Sequence, residues 1–130
     1  MKNLEPKAAF DFLQQNPGAI LVDIRSEIEH YFVGHPPGAI HIAWSDGPNW
    51  EVDPQRFVPQ VKSATGGEDR PVVLICRSGN RTVDAGRALE AAGFTQVYHV
   101  EHGFEGDLGE NHHRNEINGW RHDGLPWEQS

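Results

Sequence analysis

Branched apolar residues come along this chain in short, nearly unbroken runs: "AILVDI" (19–24), "AIHI" (39–42), "PVVLIC" (71–76) and "QVYHV" (96–100). Runs this short, dense in Val, Ile and Leu, are the pattern of strands covered on both faces. The segments between them mix apolar and polar positions as helices do. "EPKAAFDFLQQNPG" (5–18) spaces Phe10 and Leu13 three apart, admits Pro6 to its first turn and stops at Asn16-Pro17-Gly18. "SEIEHYFV" (26–33) predicts a brief helix with Ser26 as its cap and Glu29 three residues on, a capping-box spelling. "DPQRFVPQVKSA" (53–64) opens with Asp53 as cap and Pro54 at its first position, and "TVDAGRALEAAGF" (82–94) closes on Gly93.

Short strands alternating with helices predict an α/β domain with a largely parallel sheet, and right-handed crossovers place helices on both of its faces. The 130 residues make one domain, 1–130. From Glu105 onward the chain turns polar and irregular, with Trp120 and Trp127 expected to tie it down.

Composition narrows the possible partners. A formal charge of −8 argues against nucleic acid or an anionic membrane surface. No stretch approaches the roughly 18–20 apolar residues of a membrane span, and the start lacks the apolar core of a secretory signal. A lone cysteine makes no intramolecular disulfide, so the expected home is a reducing cytoplasm.

That cysteine, Cys76, ends an apolar strand and is followed by Arg77, Ser78, Gly79, Asn80, Arg81 and Thr82. In a parallel α/β sheet ligands bind beyond the carboxyl ends of the strands. The helix beginning near Thr82 aims its free N–H groups at the same place. Gly79 and Asn80 are residue types that take positive φ readily, which lets successive amides converge into an anion-binding nest. Two arginines and no acid lie between residues 71 and 83, in a chain that is acidic elsewhere. All of these surroundings favour an exposed, nucleophilic thiolate at Cys76. A buried structural cysteine would need neither the Gly-Asn pair nor the arginines.

Together "LVDIR" (21–25), the acid-rich short helix, "GHPPGAIHI" (34–42), "VVLICRSGNRT" (72–82) and "AGFTQVYHVEHGF" (92–104) resemble the rhodanese sulfurtransferases in order and spacing. The resemblance covers residues 4–104, and "GWRHDGLPW" (119–127) is similar to the family's closing segment. It implies a doubly wound parallel sheet and a Cys76 that carries sulfane sulfur as a persulfide. The amides from Arg77 to Arg81 would cradle the outer sulfur, and Arg81 or Arg77 would hold the sulfonate end of a donor such as thiosulfate. Asp23, Arg25 and His35 match the family's N-terminal motif, where an Asp–Arg pairing braces the domain.

The chain departs from the family in having Pro36 where an aliphatic residue is usual, one extra residue before Gly34, and a polar insertion at about 105–118. Cysteine phosphatases place five residues between cysteine and arginine; here there are four, a tighter ring that suits a terminal sulfur better than a phosphate.

The expected activity is therefore sulfur transfer through a covalent intermediate, from thiosulfate or a persulfide to cyanide, a thiol or a protein cysteine. No metal or organic cofactor is implied. The alternatives are a protein-to-protein sulfur carrier or binding module with little small-molecule turnover, and a redox sensor at Cys76. The histidines of the C-terminal part, His99, His102, His112, His113 and His122, have no ligand spacing of a known metal site and are expected on solvated loops. Trp44 and Trp50 suit either a pocket wall or the core; Phe104 and Trp120 are assigned to the core.

Overall fold

The computed structural model describes residues 1–129. The elements run β1 (Lys2–Leu4), α1 (Pro6–Gln15), β2 (Ile20–Asp23), a wide π-type turn (Glu29–Val33), β3 (Ile40–His41), α2 (Pro54–Thr65), β4 (Val72–Ile75), α3 (Arg81–Ala91) and β5 (Val97–Val100). Five strands form one sheet in the order β1-β5-β4-β2-β3, and every pair is parallel.

All four residues of β2 and all four of β4 are buried, as their unbroken apolar runs require at the centre of a sheet covered on both sides. One face packs under α2 and α3 through Val22, Leu74, Phe57, Val61, Ala85 and Leu89. The other packs Leu21, Val73 and Ile75 against Ala9 of α1 and against Phe104 and Trp120. Each large apolar side chain buried this way contributes about 1.5–3 kcal/mol.

Four strands stand where the apolar runs predict them. The fifth, β1, has no apolar run: "KNL" is a mostly exposed edge strand, held by its register with β5 (Lys2↔Tyr98, Leu4↔Val100) and by the Glu101 amide donating to the Leu4 carbonyl at 2.8 Å. With two of its three residues open to water, β1 carries no apolar run to mark it.

The caps follow the sequence. The Asp53 side chain accepts from the Gln55 amide at 3.1 Å. The Ser26–Glu29 box forms reciprocally: the Ser26 amide donates to Glu29 Oε1 at 3.2 Å, and the Glu29 amide to Ser26 Oγ at 3.4 Å. The helix it starts departs from the expectation, widening at once into the π-type turn and ending at Gly34 with φ 118°. A Cβ on Gly34 would stand 2.8 Å from the Trp127 ring, so only glycine lets the C-terminal segment close here. Trp120 is buried, with its indole N–H donating to the Pro126 carbonyl at 2.7 Å, whereas Trp127 covers Gly34 with one side and leaves the other to solvent.

No helix among the described residues is long and apolar enough to cross a membrane.

Candidate active site

β2 and β4 are neighbours in register, with Asp23 opposite Ile75, so the residues that follow them meet at one end of the sheet. Beyond β2 lies a buried charge cluster. Arg25 donates from Nε to Asp23 Oδ1 at 2.9 Å, and from Nη2 to Asp23 Oδ2 and the Gly34 carbonyl, both at 2.6 Å. His30 donates from Nδ1 to Asp23 Oδ2 at 2.8 Å. Burial works to raise the Asp23 carboxyl, but the bonds from His30 and Arg25 and the Arg25 charge outweigh it and hold the group at about 2. The His30 ring stacks between His35, at 3.9 Å, and His41, at 4.7 Å. The Arg25 guanidinium lies 4.5 Å from the centre of the Phe104 ring, and its buried Nη1 meets no acceptor among the described residues. Asp23, Arg25 and His30 thus form a buried brace, with His35 stacked against His30.

Beyond β4 lies Cys76. Its carbonyl accepts from the Phe104 amide at 2.8 Å, and the next carbonyl, of Arg77, accepts from the amides of Glu105 and Gly106 at 2.9 and 3.2 Å. The turn at 103–106 therefore grips the loop by its carbonyls and leaves its amides to face elsewhere. Gly103 has to be glycine for this grip: its φ is 60°, and a Cβ would run into the Cys76 carbonyl. The Gly79 amide donates to Cys76 Sγ at 3.2 Å. Among the described residues the amides of Arg77, Ser78, Asn80 and Arg81 meet no acceptor. With the first turn of α3 they leave free donors in the loop that carries the sulfur.

Two expectations about this loop need correction. Cys76 is 1 % exposed, not open to solvent, because its sulfur turns back under the loop towards Gly79 and Thr82. Of the two residues expected at positive φ, Gly79 is there at 98°, but Asn80 is right-handed at −85° because it already leads into α3. The insertion at 105–118 starts against this loop: Glu105 and Gly106 bond the Arg77 carbonyl, Asn115 bonds the Glu105 carbonyl, and Arg114 bonds the Gly106 carbonyl at 2.8 Å.

The two arginines part ways. Arg81 is clamped by Glu29 through two bonds, at 2.9 and 2.8 Å. Burial opposes the charge on each partner, yet their mutual bonds and attraction win, lowering the Glu29 carboxyl and raising the Arg81 guanidinium. Arg77 is exposed, with no side-chain partner among the described residues. Ser78 accepts from the Asn80 side-chain amide at 3.4 Å.

Two more residues belong to this site. Thr82 is fully buried beneath Cys76, and His99 is 5 % exposed in β5, hydrogen-bonded to Thr82 at 2.8 Å. His99 is thus no solvated loop residue; a polar side chain inside the apolar run "VYHV" was the signal for it. His112, His113 and His122 are exposed and His102 is partly so, and no cluster of metal-ligating side chains occurs among the described residues. Of the tryptophans, Trp44 is core, edge-on to Phe57 at 5.0 Å, while Trp50 stands exposed beside an apolar groove of about 390 Å³ with Ile28, Tyr31 and Phe32.

A parallel five-stranded sheet with helices on both faces, carrying a cysteine loop between the strand next to Asp23 and the helix after it, is the architecture of rhodanese-like domains. The chain belongs to that family: the rhodanese-like domain model matches residues 7–109. It is similar to the thiosulfate sulfurtransferase GlpE of Pseudomonas putida (strain GB-1), 31 % identical over 104 residues, covering 80 % of this chain and 82 % of that one. An uncharacterised protein of Rickettsia conorii is 28 % identical over 133 residues and 98 % of each chain. Among solved structures, the crystal structure of Rv0390 from M. tuberculosis matches with a TM-score of 0.87 and 35 % identity, covering 100 % of this chain and 98 % of that one.

Proposed function

We propose that this protein transfers sulfane sulfur from thiosulfate or a persulfide donor to cyanide, a thiol or a protein cysteine, through a persulfide on Cys76. The observation that carries this reading is the loop itself. One amide already donates to Sγ, neighbouring amides have no other partner, and the four-residue spacing from Cys76 to Arg81 closes a ring suited to a single terminal sulfur.

The chemistry balances in two displacements. The Cys76 thiolate attacks the outer sulfur of thiosulfate, the S–S bond breaks, and sulfite leaves with the electron pair. An acceptor such as cyanide then attacks the terminal sulfur, and the broken S–S bond returns its electrons to Cys76. The loop amides hold the negative charge on sulfur at both stages. Arg77, exposed and unengaged, is the better placed of the two arginines to meet the sulfonate; Arg81, held by Glu29, fixes the start of α3.

The groove favours a protein as one acceptor. Ile28, Tyr31, Phe32 and Trp50 expose apolar surface, Glu27 and Asp46 add negative charge, and Glu29 in the same segment holds the cysteine loop through Arg81. That combination suits an apolar side chain flanked by Lys or Arg on a protein that delivers its cysteine to Cys76.

Intact mass after incubation with thiosulfate tests the proposal. The expected result is a gain of one sulfur atom, roughly 32 Da, removed by cyanide and absent from Cys76→Ser. No adduct from thiosulfate or from a persulfide donor would overturn it.

A further inference from the structure

The sulfur of Cys76 does not end in an apolar wall. Thr82 Oγ1 lies 3.8 Å from it, within the reach of a sulfur hydrogen bond, and His99 Nδ1 lies 2.8 Å beyond that hydroxyl. The far nitrogen of the ring, Nε2, is hydrogen-bonded to Asn3 Oδ1. Cys76, Thr82 and His99 are 1, 0 and 5 % exposed, so the connection runs through protein from the end of β4, across the first turn of α3, to β5 and β1.

The bonding partners set the direction of this chain. An amide oxygen only accepts, so His99 carries its proton on Nε2, and in the neutral ring Nδ1 is left as an acceptor. The Thr82 hydroxyl then donates to Nδ1 and turns its oxygen lone pairs to the Cys76 thiol. The Gly79 carbonyl, 3.1 Å from the same hydroxyl, is a second acceptor for it but has no proton to pass on.

We propose that His99 is the base that takes the Cys76 thiol proton, by way of the Thr82 hydroxyl, so that the sulfur waits for its donor as a thiolate paired with a buried imidazolium. This rests on the reading of Cys76 as the sulfur-carrying nucleophile and supplies its activation. In the step, the S–H bond breaks and the proton passes to Thr82 Oγ1, while the hydroxyl's own proton passes to His99 Nδ1. The sulfur keeps the electron pair, and nothing is oxidised or reduced. Thr82 then donates to the thiolate and accepts from the imidazolium, so the two bonds on either side of the hydroxyl persist with their direction reversed, while Nε2 goes on donating to Asn3 Oδ1.

The surroundings suit a base that must be free at the start. Burial lowers the His99 imidazole below its ordinary value, Glu101 at the end of its own strand pulls it upward, and the N-terminal ammonium before β1 pushes it down. Through the Thr82 hydroxyl it reaches Cys76, and Arg81 at the start of α3 lies close enough to that sulfur to feel its charge. A neutral ring thus stands ready, and the thiolate it creates is the counter-charge that lets the imidazolium exist.

Because Cys76 is the chain's one cysteine, thiolate ultraviolet absorbance followed against pH, with Cys76→Ser as the blank, reads this sulfur alone. Thr82→Val and His99→Gln should move the thiolate midpoint upward by about one unit, leaving about tenfold less thiolate below it. Thr82→Ser, which keeps the hydroxyl, should follow the parent protein. Unmoved midpoints in folded Thr82→Val and His99→Gln would overturn the proposal. Should either variant not fold, the imidazole nitrogen signals of His99 in the parent and in Cys76→Ser decide it. A His99 titration displaced by removing the sulfur supports the relay, and one left unchanged overturns it. The readout uses no sulfur donor, so a missing persulfide with an intact relay sinks only the transfer reading, and a persulfide formed without the coupling sinks only the relay.

Discussion

The two clusters at the carboxyl end of the sheet hang from adjacent strands and handle charge in opposite ways. The Asp23 brace neutralises its charges with other side chains: a carboxylate, a guanidinium and an imidazole bond one another out of reach of water. The Cys76 loop meets its sulfur with a backbone amide, that of Gly79, which does not titrate and does not compete as a nucleophile. One cluster uses up its bonding capacity in holding the frame. The other keeps donors without partners, and that reserve is what makes it the candidate site. Phe104 joins the two, stacked under Arg25 while its amide holds the Cys76 carbonyl.

Breaking the brace should cost most. Asp23→Asn leaves the Arg25 charge buried without its partner and is expected to destabilise the fold by about 3–5 kcal/mol, read from denaturant midpoints at unchanged m-value. A loss below about 1 kcal/mol would show that water or relaxation replaces the carboxylate.

Titrating the brace should come next. The Asp23 carboxyl sits at about 2 when folded, against an ordinary 3.8, so its contribution is fully present above about 4 and fades as the pH falls towards 2. The shift corresponds to roughly 2 kcal/mol, seen as a falling melting temperature over that acid window. In Asp23→Asn this part of the acid slope should vanish.

The loop should respond in function while its stability changes little. Arg77→Ala is expected to raise KM for thiosulfate roughly tenfold with little change in melting temperature. Arg81→Ala, which strands the half-buried Glu29, should lower the melting temperature instead. A reversal of the two would transfer the anion-holding role to Arg81. The smallest effect belongs to the groove. Ile28→Ser with Phe32→Ser should slow transfer to a cysteine peptide bearing Lys and Leu beside the thiol by about threefold, and leave transfer to cyanide unchanged.

Much of this was legible in the chain itself. The apolar runs marked β2, β4 and β5, because burial on both faces demands them, and a shorter run marked the edge strand β3. Asp53, Ser26, Glu29 and Gly93 marked helix ends, because caps are local chemistry. "CRSGNR" marked the loop, because a tight turn around a sulfur needs a glycine at its bend and no acid nearby. What the chain concealed depends on contacts between distant positions. β1 exists because β5 offers it an edge, and Arg81 is clamped because the turn at 29 reaches it 52 residues away. His99 is buried because its strand lies beside β4, and only that placement brings it within one hydroxyl of Cys76. Local spacing therefore determined which residue is the candidate nucleophile and what kind of loop surrounds it. Packing of separate strands decided how deeply the sulfur lies, which arginine stays free, and which base stands behind it.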